Sequence, residues 1–186
     1  GGKGANQALA AALGAAPGQS VAMIGTIGAD AWGALALEHL RKAGVDLTLV
    51  RQGERRTACG FISVDANGQT LITVSPGANV ETRADAIAKL RTPLGKDDWL
   101  ILQMEVPLEE NWRALKAAKA AGARTVLNLA PAMPIDDAIL ADLDVLIVNQ
   151  PEAQFIGDRL GLASNNPLDI ARTLDARFAL ICVATL

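Results

Sequence analysis

A chain of 186 residues, 51% hydrophobic and 20% charged, is long enough for one well-buried core and too apolar for a disordered segment. Its net charge of −3, with Lys and Arg scattered singly among acids, gives no basic field for a nucleic-acid backbone, so the expected partner is a small molecule. No apolar run approaches the roughly 20 residues that span a bilayer and no signal-peptide pattern opens the chain, which predicts a cytoplasmic protein with no membrane partner.

In chain order, the first feature is Gly1-Gly2-Lys3-Gly4-Ala5-Asn6-Gln7, a glycine turn feeding an Ala-rich helix over 8–13. Glycines accept positive φ and let backbone N–H groups approach a ligand, while the helix start beyond them offers unpaired donors and partial positive charge. Lys3 and Asn6 add polar side chains to such a cradle. The spaced Gly-Lys-Ser/Thr order of a P-loop is missing. From these residues alone two readings stand: a cradle for a phosphate or polyol, and a glycine-capped structural helix.

Pro17-Gly18 makes a turn before a short buried strand over 20–25. A second glycine loop over 28–33 places Asp30 as N-cap of a helix running to Lys42, with Leu35, Leu37 and Leu40 as its apolar stripe. The lone His, His39, has no partner at ligand spacing and reads as a helix-surface residue. Gly44 closes the helix, and 45–50 has strand character. The runs 57–64 and 70–75 flank Asp65-Ala66-Asn67-Gly68, a strong hairpin signal, readable either as an accessory flap on an α/β core or as an edge hairpin.

From Thr82 the pattern is regular: helix 82–91, strand 98–104, helix 108–121, strand 124–128, helix 136–142, strand 144–148, helices near 151–156 and 167–176, and strand 178–184. Strands separated by helices of this length imply right-handed crossovers and a mostly parallel sheet covered on both faces, with 145–148 and 179–183 buried on both sides. Trp32, Trp99 and Trp112 are expected to pack, and Cys59 and Cys182 to be reduced core thiols. Ligands of open α/β sheets bind outside the carboxyl ends of the strands. The polar residues Glu105, Asn128, Asn149 with Glu152, and Thr185 all fall at that edge.

The opening glycine stretch closely resembles the first signature of the ribokinase, or PfkB-type, family of carbohydrate kinases, and its Lys favours ribokinase-like members over fructokinase or adenosine kinase relatives. Further resemblances are Ser75-Pro76-Gly77-Ala78-Asn79, Glu105 within Gln103-Met104-Glu105-Val106-Pro107, Asn128-Leu129-Ala130-Pro131-Ala132 where the family has Asn-Pro-Ala-Pro-Ala, Asn149-Gln150-Pro151-Glu152 as an Asn-x-x-Glu motif, and Thr185-Leu186. The resemblance implies an α/β fold: a ribokinase-like, Rossmann-type parallel sheet with helices on both faces and a small β-hairpin lid. It implies one domain over 1–186, with the lid inserted at about 57–75. The chain starts without Met inside a glycine loop and stops on Leu186 in an apolar run, so truncation at both ends is expected.

By the same resemblance, Gly2, Lys3, Asn6 and Glu105 bind the sugar, Asn149 and Thr185 serve the nucleotide, and Glu152 holds Mg²⁺ through water. The implied function is ATP-dependent phosphoryl transfer to a sugar hydroxyl, with homodimerisation through the lid. The family's Gly-Ala-Gly-Asp segment with its base Asp has no counterpart here, so the base is expected beyond Leu186 and the chain as given is expected to be inactive. Dependence on a monovalent cation is left open. The alternative is a non-catalytic sugar- or nucleotide-binding protein on the same fold. A nucleotide-dependent oxidoreductase is disfavoured, since no Gly-x-Gly-x-x-Gly follows a strand with an acidic residue about twenty positions on.

Overall fold

The structure, a computed structural model, describes residues 2–185. Gly1 and Leu186, which belong to the glycine and Thr-Leu motifs, lie outside the described residues. The chain divides into two compact units: residues up to Ala86 together with Glu105–Pro107, and Ile87–Met104 together with residues from Leu108 onward.

In the first unit α1 spans Lys3–Gly14, starting five residues before the expected 8–13. The Asn6 N–H donates to the Gly2 carbonyl at 3.0 Å, so the helical ladder opens at Gly2 and runs through alanines, the best helix formers. Helix α2, Ala31–Lys42, is capped by Asp30 as expected, and Gly44 at φ 76° closes it. Its stripe is narrower than predicted: Leu37 and Leu40 are buried, whereas Leu35 is 55% exposed. Two residues correspond to about 200° around a helix, which puts Leu35 on the far side from Leu37. Ala5, Leu37, Leu40 and Val45 form the core of this unit, and His39 is exposed as expected.

Two expected strands shift. Over 20–25 there is a single parallel bridge, Ala22 with Asp46, and the strand proper, β1, is Gly25–Gly28, paired in parallel with β2, Val50–Gly53. The cause is Asp46. Its carboxylate accepts the Thr48 N–H at 2.9 Å and the Val50 N–H turns back to the Leu47 carbonyl, an Asx turn that breaks the run 45–50.

The hairpin forms where predicted, from β3, Cys59–Val64, and β4, Thr70–Ser75, with Ile62 opposite Ile72. Its loop closes by bonds from the Gly68 N–H to the Asp65 carbonyl and from the Asp65 N–H to the Gln69 carbonyl, with Gly68 at φ 79° as such loops require. Every residue from Gly60 to Pro76 is exposed. The chain returns through a short 3-10 helix, Gly77–Glu81, that buries Ala78 completely. The expected helix over 82–91 is only a 3-10 segment, Ala84–Lys89, since Ala86 is its one buried residue and short helices depend on a packed face.

The second unit is a parallel sheet in the order β5 (Trp99–Leu102), β6 (Arg124–Asn128), β7 (Val145–Asn149), β8 (Ile181–Thr185). The crossovers are α3 (Leu108–Ala120), α4 (Asp137–Ala141), and α5 (Gln150–Arg159) with α6 (Pro167–Phe178). Helix α3 packs on β5 and β6, α5 on β7 and α6 on β8. Strand β5 stops two residues early because the Met104 N–H donates to the Ala130 carbonyl at 3.0 Å and the Gln103 carbonyl accepts from the buried Asn111 amide at 2.7 Å.

Burial on both sides is partial over 145–148, where Val145 and Ile147 are half-buried, and is not found over 179–183. Leu102, Thr125, Leu127, Leu146 and Val148 are buried, while on the alternate positions Trp99, Ile101, Ile181 and Val183 stay 43–64% exposed. The helices that pack on these strands account for the first set. Trp99 lies under the Arg124 guanidinium, 5.2 Å from its ring, and Trp32 is 62% exposed, so neither is a core residue. Cys59 and Cys182 are free and half-buried, and burial pushes the Cys182 thiol up to about 11. Among the described residues no helix is long and apolar enough to cross a membrane.

Candidate functional site

The start of α1 gathers three of the residues singled out in the sequence. Gly2 sits at φ 89° and ψ 155°, a region essentially closed to residues with a Cβ. A Cβ there would stand an ordinary 3.5 Å from Glu105, so backbone conformation and not crowding demands the glycine. No side chain within the helix start caps α1, and its first turn carries no acid. Glu105 supplies both: its Oε2 accepts the Lys3 N–H at 2.8 Å across 102 residues of sequence. A carboxylate is favoured at this end of a helix because the unpaired N–H groups there carry partial positive charge. Lys3 is half-buried and Asn6, one turn further, is exposed with its own N–H committed to the helix.

In the second unit, Asn149 and Glu152 close on each other at the N-terminus of α5. The Asn149 side chain accepts the Glu152 N–H at 2.9 Å, and Glu152 Oε2 accepts the Asn149 N–H at 2.8 Å, a complete capping box with Pro151 in the first turn. Glu152 is buried at 8% exposure. Thr185 pairs in register with Asn149, and its hydroxyl donates to the Val148 carbonyl at 3.4 Å. Asn128 ends β6 opposite Ile147. Asn128, Asn149, Glu152 and Thr185 therefore lie at the carboxyl edge of this sheet.

One cluster escaped the sequence reading. The Asp30 carboxylate, besides capping α2, accepts the N–H and hydroxyl of Thr57 at 2.8 and 2.6 Å. The Thr57 bonds, hydroxyl first and then the amide, together with the Gly33 N–H, hold the Asp30 carboxyl below its ordinary value. Glu81 accepts the N–H groups of Glu54 and Arg55, both at 2.9 Å, and these bonds lower its carboxyl likewise. The only sequence signal was the N-cap pattern at Asp30. Among the described residues no group of three or more His, Cys, Asp or Glu is arranged to hold a metal ion.

A parallel sheet with flanking helices and a polar carboxyl edge makes the second unit an open α/β fold, and the solved structures this chain superposes on include ribokinases, the ribokinase-like class of α/β proteins. The structure of ribokinase from Thermotoga maritima superposes with a TM-score of 0.79 at 29% identity, covering 99% of this chain and 59% of that one. That of Arabidopsis thaliana ribokinase complexed with ribose and ATP gives 0.79 at 27%, covering 98% and 58%. By sequence, ribokinase of Staphylococcus aureus is 35% identical over 84% of this chain and 51% of its own length, and ribokinase of Haemophilus influenzae 34% over 84% and 50%. The profile of the pfkB family carbohydrate kinases matches residues 1–183, and the chain belongs to that family. It spans about half the length of the curated relatives it matches.

Proposed function

We propose that this chain is part of an ATP-dependent sugar kinase, ribokinase-like, that transfers the γ-phosphoryl group of ATP to a sugar hydroxyl in the cytoplasm. The observation that carries this reading is the Glu105 carboxylate at the Gly2–Lys3 helix start. An ionised carboxylate offers about four acceptor sites, so Oε2 can hold the Lys3 N–H while the group also accepts from a sugar hydroxyl. Lys3 and Asn6 supply the donors for neighbouring hydroxyls. The backbone at Gly2 approaches the sugar without a side chain in the way.

Asn149 and Thr185 serve the nucleotide, with the α5 N-terminus contributing partial positive charge toward phosphate. Glu152 fits a hydrated Mg²⁺: it is one buried carboxylate partly engaged by its capping bond, and a hard cation that keeps several waters needs no fuller cage. When bound, Mg²⁺ neutralises charge on the phosphates. A base lying outside these 186 residues takes the hydroxyl proton, so the chain alone does not turn over. The hairpin, inserted at about 57–75 in one ribokinase-like domain, covers the sugar. By its register, Ile62, Val64, Ile72 and Val74 share one face and are 56–67% exposed, and this face joins two copies in a homodimer.

The test uses the full-length protein. Glu105→Ala should raise the KM for ribose about ten- to a hundredfold and leave the KM for ATP nearly unchanged, and Asn149→Ala should do the reverse. Equal losses for both ligands in both variants would refute the division, and absence of sugar-dependent ADP formation in the parent would refute the kinase reading.

A further inference from the structure

Between β2 and β3 the chain runs from Glu54 to Ala58 without regular structure, and the hairpin springs from this root. Three N–H groups and one carbonyl of the root are bound to residues outside it. Glu81, on the return from the hairpin, takes the Glu54 and Arg55 amides through its two oxygens. Asp30, at the start of α2, takes the Thr57 amide through Oδ2 and the Thr57 hydroxyl through Oδ1. Thr57 Oγ1 in turn accepts the Gly28 N–H at 2.9 Å, at the end of β1, and the Arg56 carbonyl accepts the Ala78 N–H at 2.8 Å.

Backbone packing is equally close. A Cβ on Gly28 would meet the Thr57 nitrogen at 2.5 Å and the Arg55 carbonyl oxygen at 2.7 Å, and one on Gly77 would run into the Arg56 carbonyl. A Cβ on Gly33 would lie 2.7 Å from the Gly28 oxygen, so α2 is pressed onto the same junction. Beyond it Gly60 to Pro76 are all exposed, as Glu54 to Arg56 of the root are, but the backbone over 59–75 pairs strand to strand within the hairpin. Within about two residues on each side, the backbone passes from bonds to β1, α2 and the returning 3-10 helix to bonds within the hairpin.

We infer that Asp30, Thr57 and Glu81 are positioning residues for the hairpin, pinning its root to β1, α2 and the returning 3-10 helix so that closure pivots beyond Ala58 and before Gly77. The root sets the direction from which the hairpin reaches a sugar, so loosening it weakens sugar capture and leaves nucleotide binding alone. Closure and this consequence rest on the sugar-kinase reading; the pinning does not.

Thr57→Val in the full-length protein keeps the side-chain volume and removes the hydroxyl, leaving the Gly28 N–H without its acceptor and Asp30 with one donor fewer. Hydrogen exchange followed by mass spectrometry should show the peptides carrying Gly28 and 54–58 exchanging about tenfold faster, with the KM for ribose raised about tenfold and that for ATP unchanged. Thr57→Ser, which restores the hydroxyl, should recover both. A Thr57→Val protein that melts earlier but keeps native exchange over 54–58 and native sugar KM would overturn the inference, leaving these bonds a purely structural role. If Thr57→Val fails to fold, Glu81→Gln serves: faster exchange at Glu54 and Arg55 with a raised sugar KM supports the inference, and native values overturn it. If the parent shows no sugar-dependent ADP formation, the kinase reading fails by itself and the exchange comparison alone decides the pinning.

Discussion

Replacing Glu105 by Ala should destabilise the chain even with no sugar present. The Lys3 N–H would lose a charged acceptor at 2.8 Å, and α1 has no acidic residue in its first turn to take over. A hydrogen bond to a charged group contributes about 1.5–3 kcal/mol, and the half-buried setting, where water can replace part of it, favours the lower end. For a chain of this length each kcal/mol corresponds to about 2–4 °C, so the melting temperature followed by circular dichroism at 222 nm should fall by roughly 3–12 °C. Glu105→Gln retains an oxygen acceptor and loses only the charge at the helix start, so it should cost about 0.3–1 kcal/mol. An unchanged melting temperature for Glu105→Ala, or equal losses for Ala and Gln, would refute the reasoning that this carboxylate is the cap of α1.

Gly2→Ala forces a Cβ into φ 89°, and a urea midpoint lowered by the equivalent of about 1–3 kcal/mol is expected; an unaltered midpoint would contradict the backbone constraint. Asn149→Ala breaks the capping box and should cost about 0.5–2 kcal/mol in the same titration, whereas Asn149→Asp, which keeps the acceptor, should cost less. Burial works against the charge of Asp144, but the Thr125 hydroxyl and amide and the Lys119 ammonium outweigh it and hold its carboxyl below the ordinary value. A depressed folded-state pKa means the stability is present above the unfolded value and lost as pH falls through the folded one. The urea-midpoint gap between the parent and Asp144→Asn should thus be full at pH 6 and shrink below about pH 4; a constant gap down to pH 2 would show the charge to be irrelevant.

Long periodic elements were legible because their signals are local. The N-cap Asp30, the closing Gly44, the Asn67-Gly68 hairpin and the helices flanking β6 to β8 were each read from residues within a few positions of one another. What failed also has local causes that a pattern of apolar residues hides. Asp46 is the single charged residue inside the run 45–50, and its Asx turn ends the pairing of that run with 20–25 at one bridge. The polar residues of the candidate site were found by position and family likeness, but their bonding was not. Glu105 to Lys3 spans 102 residues and Asp30 to Thr57 spans 27, and nothing in either segment encodes the partner. Asn149-x-x-Glu152 carries two meanings in one pattern, since an Asn followed three residues later by Glu is also the signature of a capping box. The same two side chains that order α5 stand at the edge proposed for the nucleotide.

The long reach from Glu105 to Lys3 bears on the order in which the chain can mature during synthesis. The first unit is discontinuous: its second piece, Glu105–Pro107, is translated after Ile87–Met104, which belongs to the other unit. A ribosome that has extruded the chain only as far as Ala86 has delivered α1, α2 and the hairpin, yet the acceptor for the first amide of α1 is still unmade. The glycine-led start of that helix should fray in such a nascent chain and tighten when Glu105 emerges. The elements from β6 onward need no residue from the first unit to complete their hydrogen-bond ladders, and contacts between near neighbours in sequence form faster than distant ones. The start of α1 at Gly2 is thus made before Glu105 and completed only when that residue emerges.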